Sequence, residues 1–415
     1  MNLADLPRDT LYEIGNYLGL RDLHAYALTN KKINEVCNDY KIKTLDSNAS
    51  LLPFQKKYIK WILDNELNGP HKGIINLNMG SGKTVTILST IQLNRKGLTL
   101  AVVDPSLLAV WVTEIEKFYA VKDPIKFVIY HGEYQKSINF DKLEPYTLIL
   151  TTPQTLKGRI SRNTDNIQNA PFYRIVVDEV HSFGEHTGEL IRDKLKYTNL
   201  WVVSATPFNT GKNSSDNFNK NIVSLFGCYS GNQYLYNDGK PLETPEVHKT
   251  SLHINLFKPK PDIFKHVCDY INSVPDEKIL VFCNPRTCMH IREVLGKTDI
   301  PTLVFDSSSS PKKRGAICQT FKTDPYFKVL VCTFTVCANG QNLAEANHSI
   351  FMDIPSCFGD KAYPDKNKLI QALGRIYRYG QTKPCFININ NVNDQAIAYK
   401  DLISKAFPHA TFSVE

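Results

Sequence analysis

The sequence predicts an α/β protein of two tandem lobes, each built on a parallel sheet, preceded by a small all-helical module. Three observations carry that prediction. Short, continuously apolar runs recur at intervals filled by amphipathic stretches, the pattern of strands buried on both faces and joined by crossover helices. The pattern runs twice, interrupted by a segment rich in Asn, Ser, Gly and Pro. At 415 residues the chain also exceeds what one hydrophobic core usually spans.

Residues 1–45 read as the helical module. Leu6, Leu11, Ile14, Leu18, Leu23, Tyr26, Ala27, Ile33 and Val36 recur at helical spacing, broken by Gly15, Gly19 and Asn30. In the first lobe, 46–225, the expected strands are GIINLN (73–78), LTLAVV (98–103), KFVIYH (126–131), TLILTT (147–152), YRIVVD (173–178) and LWVVSA (200–205). Each ends in a polar or Gly/Pro-rich loop, where open α/β sheets place their ligands. Residues 226–260 are expected to be an irregular connector. The second lobe, 261–415, resumes with KILVFC (278–283), PTLVFD (301–306), KVLVCT (328–333), HSIFMD (348–353) and PCFINI (384–389).

Composition narrows the function classes. Apolar residues make up 42% and charged residues 22%, ordinary values for a globular chain. A net charge of +8 favours a polyanionic partner. The ten cysteines form no C-x-x-C pair and no cluster with histidine at metal-ligand spacing, so they read as thiols of a reducing compartment. The charged start MNLADLPRD and the lack of a run long enough to span a bilayer predict an intracellular protein, nuclear or cytoplasmic, with no membrane partner.

Two stretches of the first lobe point to phosphate chemistry. MGSGKT (79–84) follows an apolar run and precedes the helical VTILSTIQL, the strand, glycine loop and helix order of a P-loop. Met79, Gly80, Ser81 and Gly82 would bring backbone N–H groups to the phosphates of ATP. Lys83 would reach the β and γ phosphates, and the Thr84 hydroxyl would hold Mg²⁺. The bland alternative is a glycine-rich turn at a helix start. VVDEVH (176–181) ends another expected strand: Asp178 would ligate Mg²⁺ and Glu179 would orient or deprotonate water. Alone it could be a solvated loop; its meaning comes from MGSGKT about 95 residues upstream.

From Leu51 to Gln381 these pieces resemble a superfamily-two helicase or translocase core, with several features similar to the Swi/Snf-type branch. LLPFQKKYIKWIL (51–63) is similar to the opening motif, whose glutamine, here Gln55, contacts adenine. DPSLLAVWVTEIEKF (104–118) resembles the segment that touches the nucleic acid backbone, YHGEYQKS (130–137) and LTTPQTL (150–156) the next tracking elements, DEVH a DEAH-type box, and SATPFN (204–209) the motif after it. KILVFCNPRTCMHIREVL (278–295) resembles the fourth motif, VLVCTFTVCANGQNL (329–343) the fifth, and QALGRIYRYGQ (371–381) the sixth. The departures are Leu77 where a first glycine is usual, Val336 and Cys337 in the fifth motif, and a connector too short for the large insertions of remodellers.

That resemblance implies two RecA-like lobes hydrolysing ATP between them to move along nucleic acid, with duplex DNA favoured over RNA. Gln371 would join the nucleotide site. Arg375 and Arg378, three apart on one helix face, would stabilise the transition-state charge with their planar forks; otherwise they are cations at a helix end. Residues 3–37 resemble an F-box, implying a Skp-type adaptor of a cullin ubiquitin ligase and an alternative role for the chain as adaptor. The same periodicity also suits a helical cap on the first lobe. An F-box joined to a minimal motor suggests a viral or virion-associated source. PKKR (311–314), near SSSS, is a candidate phosphate contact.

Overall fold

The computed structural model describes residues 6–7, 10–11, 14, 31–43, 45, 47–77, 80–105, 107–132, 138–162, 166–180, 184–204, 214–227, 250–306, 311–334, 343–354, 356–357, 360–364, 366–378, 380–390 and 396–414. The chain divides into two compact units, the first of residues 1–78 and 82–244 and the second of residues 245–415 together with residues 79–81.

In the first unit, α1 (Lys31–Lys43) and α2 (Pro53–Asn68) precede β1 (Lys72–Asn76), α3 (Lys83–Leu93), β2 (Leu98–Val102), α4 (Leu108–Tyr119), β3 (Phe127–Tyr130), β4 (Leu148–Thr151) and α5 (Pro153–Arg162). Then follow β5 (Pro171–Asp178), α6 (Glu185–Lys194), β6 (Lys196–Ser204) and α7 (Ser214–Phe226). All six strands pair in parallel, in the order β1-β6-β5-β2-β4-β3. The continuous burial of β2 and β4 explains their unbroken apolar runs: helices cover both faces. One face packs Ile74, Leu100, Ile149, Ile175 and Val202 with Leu156, Ile191 and Ile222 of α5, α6 and α7.

The helical start of the chain belongs to this unit. Ile33, Val36 and Cys37 of α1 form a small buried cluster with Leu11, against which Leu67 of α2 packs. Asn34 Nδ2 donates to Asp64 Oδ1 at 2.5 Å, and Lys60 pairs with Asp39. Residues 15–30 of the F-box resemblance lie outside the described residues.

In the second unit, β7 (Leu252–Leu256), α8 (Ile263–Ser273), β8 (Ile279–Cys283), α9 (Pro285–Leu295), β9 (Thr302–Phe305), α10 (Pro311–Thr323) and β10 (Val329–Thr333) lead to β11 (His348–Phe351). A two-stranded antiparallel pair, β12 (Ser356–Cys357) and β13 (Asp360–Pro364), precedes α11 (Lys366–Leu373), β14 (Cys385–Ile389), α12 (Ala396–Ala406) and β15 (Thr411–Val414). The seven-stranded sheet is parallel, in the order β15-β7-β14-β11-β8-β10-β9. Strand β8 shows the two-residue period directly. Leu280 and Phe282 enter one core with Phe321 and Leu373, while Ile279, Val281 and Cys283 enter the other with Val267 and Ile291.

One expectation is corrected. The 226–260 connector is not irregular throughout, because its end is β7. Leu252, Ile254 and Leu256 alternate inward while His253 and Asn255 are half-buried, and that period-2 pattern is a strand's own. Residues 228–249 lie outside the described residues. The C-terminal β15 was not anticipated either; only one of its four residues, Phe412, is a bulky apolar group packed on the core, so it shows no apolar run.

Candidate nucleotide site

The glycine loop sits where the sequence places it, between β1 and α3. Gly80 and Gly82 hold φ angles of 72° and 78°, in the left-handed region that a side chain resists. A methyl group on Gly82 would lie 2.4 Å from Gln55 Nε2 and would have to displace that amide, in addition to the strain of the left-handed backbone. Gln55 is itself buried and clamps the start of α2, accepting from Leu52 N–H at 2.8 Å. The glutamine and the phosphate loop, 27 residues apart in sequence, are thus neighbours in the fold. Thr84 is the second residue of α3, and Met79 lies outside the described residues. Leu77, in place of a first glycine, is buried in the core.

Lys83 Nζ lies 3.5 Å from Glu179 Oε1, joining the loop to the end of β5. Glu179 holds a φ of 51°, strained for a residue with a side chain, and its N–H is fixed by Val203 O at 2.9 Å. Asp178 is buried at the last position of β5. Its Oδ2 accepts the Trp111 indole N–H at 3.0 Å, and its Oδ1 takes no hydrogen bond among the described residues. Burial, reinforced by neighbouring Glu179, pushes the Asp178 carboxyl up to about 7, against the opposing pull of Lys83 and the Trp111 and Glu179 N–H groups. Two adjacent carboxyl groups therefore stand beside a lysine at a strand's carboxyl end.

The sixth-motif residues are found in the second unit. Gln371 is buried in the last turn of α11, and Arg375, also buried, donates from Nε to Gln371 O at 3.1 Å. The expectation that Arg375 and Arg378 share a helix face is corrected. The helix stops at Leu373 and tightens around Gly374, with Arg375 N–H bonded three residues back to Ala372 O at 3.1 Å. Gln381 is a staple: Nε2 donates to the carbonyls of Ala344 at 2.9 Å and Ala346 at 3.0 Å, and Oε1 accepts from Thr382 and Lys383 N–H, both at 3.0 Å. Val336, Cys337 and most of SATPFN and SSSS lie outside the described residues.

Residues 54–223 match the family model described as an SNF2-related domain, and residues 262–380 match the helicase conserved C-terminal domain. The chain carries an SNF2-related domain followed by a helicase C-terminal domain. Its two units are RecA-like lobes, and the fold is similar to that of Dbp5 from S. cerevisiae bound to RNA and ADP BeF3. That similarity has a TM-score of 0.62 over 92% of this chain and 93% of that one, at 17% identity. The DNA repair protein rad8 of Schizosaccharomyces pombe is 32% identical over 124 residues, covering 30% of this chain and 10% of rad8. The ATP-dependent DNA helicase DDM1 of Arabidopsis thaliana is 26% identical over 199 residues, covering 45% and 24%. A putative SWI/SNF-related regulator of chromatin from Arabidopsis thaliana, member 3-like 1 of its subfamily, is 30% identical over 115 residues, 27% of this chain and 13% of that protein. The chain thus spans a minor part of the curated relatives it matches.

In this SNF2-related core the Trp111 contact was missed from the sequence. Leu108, Trp111, Ile115 and Tyr119 form the buried stripe of α4, which reads simply as core. The resemblance pointed this segment at a nucleic acid backbone, but Trp111 is 1% exposed and turns inward to Asp178.

Proposed function

We propose that the chain is an ATP-dependent translocase that hydrolyses ATP and moves along DNA, with duplex favoured. The observation that carries this reading is the meeting of Lys83, Asp178 and Glu179 beside a glycine loop with left-handed glycines. Lys83 binds the β and γ phosphates, Gln55 recognises the base, Glu179 positions the attacking water, and Arg375 and Arg378 neutralise charge on the transferring phosphoryl group. Gln371 holds Arg375 through its carbonyl.

The residues fit Mg²⁺. Asp178 Oδ1 is a buried oxygen with no hydrogen bond among the described residues, and the Thr84 hydroxyl completes an all-oxygen donor pair suited to a hard cation. When bound, Mg²⁺ would supply charge to the phosphate oxygens and favour ionised Asp178. Lys83→Ala and Glu179→Gln should each reduce DNA-stimulated ATPase at least a hundredfold while leaving the circular dichroism spectrum unchanged. Full turnover in Glu179→Gln would remove that carboxylate from the mechanism.

The track is proposed to run over the carboxyl ends of β3 and β4. There His131 Nδ1 meets Thr155 Oγ1 at 2.8 Å and Thr152 Oγ1 at 3.3 Å, and burial pulls the imidazole's proton affinity down. Neutral hydroxyl and imidazole groups at strand ends suit a phosphate backbone read without sequence. DNA is named by rad8 and DDM1, and RNA by the Dbp5 complex; the SNF2-related match favours the former.

The adaptor role of residues 3–37 yields to the capping role, which the packing of α1 on α2 supports. Removal of residues 1–45 should lower the thermal midpoint of the first unit by several degrees and leave a Skp-type adaptor unbound by either form. Adaptor capture that depends on those residues would restore the F-box reading.

A further inference from the structure

We propose that Trp111 is a positioning residue for the cation of ATP hydrolysis: its indole N–H claims Asp178 Oδ2 and reserves Oδ1 for the metal. This rests on the reading of Asp178 as a Mg²⁺ ligand. Indole offers one polar atom, a donor only, and here it ends 3.0 Å from Oδ2. A carboxylate held at one oxygen by a neutral donor keeps its plane fixed and the other oxygen's lone pairs available, and such outer partners commonly govern metal affinity.

The donor is held rigidly on both sides. Trp111 is fixed in the first turns of α4, its backbone N–H bonded to Leu107 O at 2.9 Å, while Leu107 N–H bonds to Asp104 O at 2.8 Å. At the far end of α4, Tyr119 OH bonds to Ser89 Oγ at 2.7 Å and Val85 O at 3.0 Å, both on α3. One helix is therefore tied to the phosphate-loop helix and to the β5 carboxylate together. A change at either end alters the aim of Asp178 relative to the loop.

A matched control is built into the same lobe. Trp201 is also fully buried, and its N–H donates to a carboxylate, Glu66 Oε1, at 2.9 Å. Trp111→Phe and Trp201→Phe each remove one buried indole donor, but only the first touches Asp178. In the full chain with ADP present, Mn²⁺ titrated by electron paramagnetic resonance should bind Trp111→Phe about tenfold more weakly, with Trp201→Phe within twofold of the unaltered protein. Saturating Mg²⁺ should also recover most ATPase turnover in Trp111→Phe, a rescue that a folding defect would not show. Unchanged Mn²⁺ affinity in Trp111→Phe, equal loss in both variants, or no rescue by Mg²⁺ would overturn the proposal. Failure of the unaltered protein to bind Mn²⁺ would instead sink the assignment of Asp178 as the ligand.

Discussion

Asp178 shows how a side chain proposed to hold a cation carries a stability cost. Buried beside Glu179, it holds its proton up to about 7 instead of the ordinary carboxyl value of 3.8, so ionisation works against the ligand-free fold. The sign follows from proton binding: between those two values the folded state holds more protons than the unfolded one, so stability falls as pH rises from about 4 to 7 and levels off above. Asp178→Asn removes the charge and can retain the acceptor for Trp111. Without nucleotide at pH 8 it should unfold a few degrees higher than the unaltered protein, while Mg²⁺-dependent ATPase disappears. A lower midpoint would mean that attraction to Lys83 outweighs burial. The sequence announced Asp178 and Glu179 by type and position at a strand end. Neither the left-handed backbone of Glu179 nor the indole partner of Asp178 could be read there, because both arise from elements distant in sequence.

At the scale of elements, the strands were the most legible feature. Eleven expected apolar runs coincide with β1 to β6, β8 to β11 and β14, and those buried from end to end, such as β2, β4 and β8, have little room for polar side chains. β7 escaped because its alternation is short and lies next to a polar segment, and the sixth motif was misread as helix because Gly374 ends α11 early. The helix that carries Gln55 is anchored by a contact no pattern reveals. Arg174 of β5 meets Glu66 of α2 through Nε at 2.5 Å and Nη2 at 2.6 Å, both side chains being 1% exposed, and Thr99, Asn94 and Trp201 satisfy the remaining groups. Arg174→Met leaves Glu66 charged and unpaired in the core, a loss of about 3–5 kcal/mol. Trp61, Trp111 and Trp201, the three tryptophans of the chain, all lie in the first unit, so urea unfolding followed by their fluorescence reads that unit alone. ATP affinity should fall in parallel, since α2 also positions Gln55 against Gly82. A shift below 1 kcal/mol would show that Glu66 takes up a proton or water instead.

For the whole molecule, the order of motifs along the chain was more informative than any of them singly, and two parallel sheets with one phosphate loop are what that order requires. The charge of +8 agrees with a polyanionic track but does not choose among polymers. Duplex DNA is the proposed track, and steady-state ATPase of the full chain with duplex DNA, single-stranded DNA and RNA at equal nucleotide concentration and fixed salt discriminates among the three polymers. Duplex DNA should stimulate turnover at least tenfold more than either single strand, with no stimulation in Lys83→Ala. Equal or greater stimulation by RNA would contradict it.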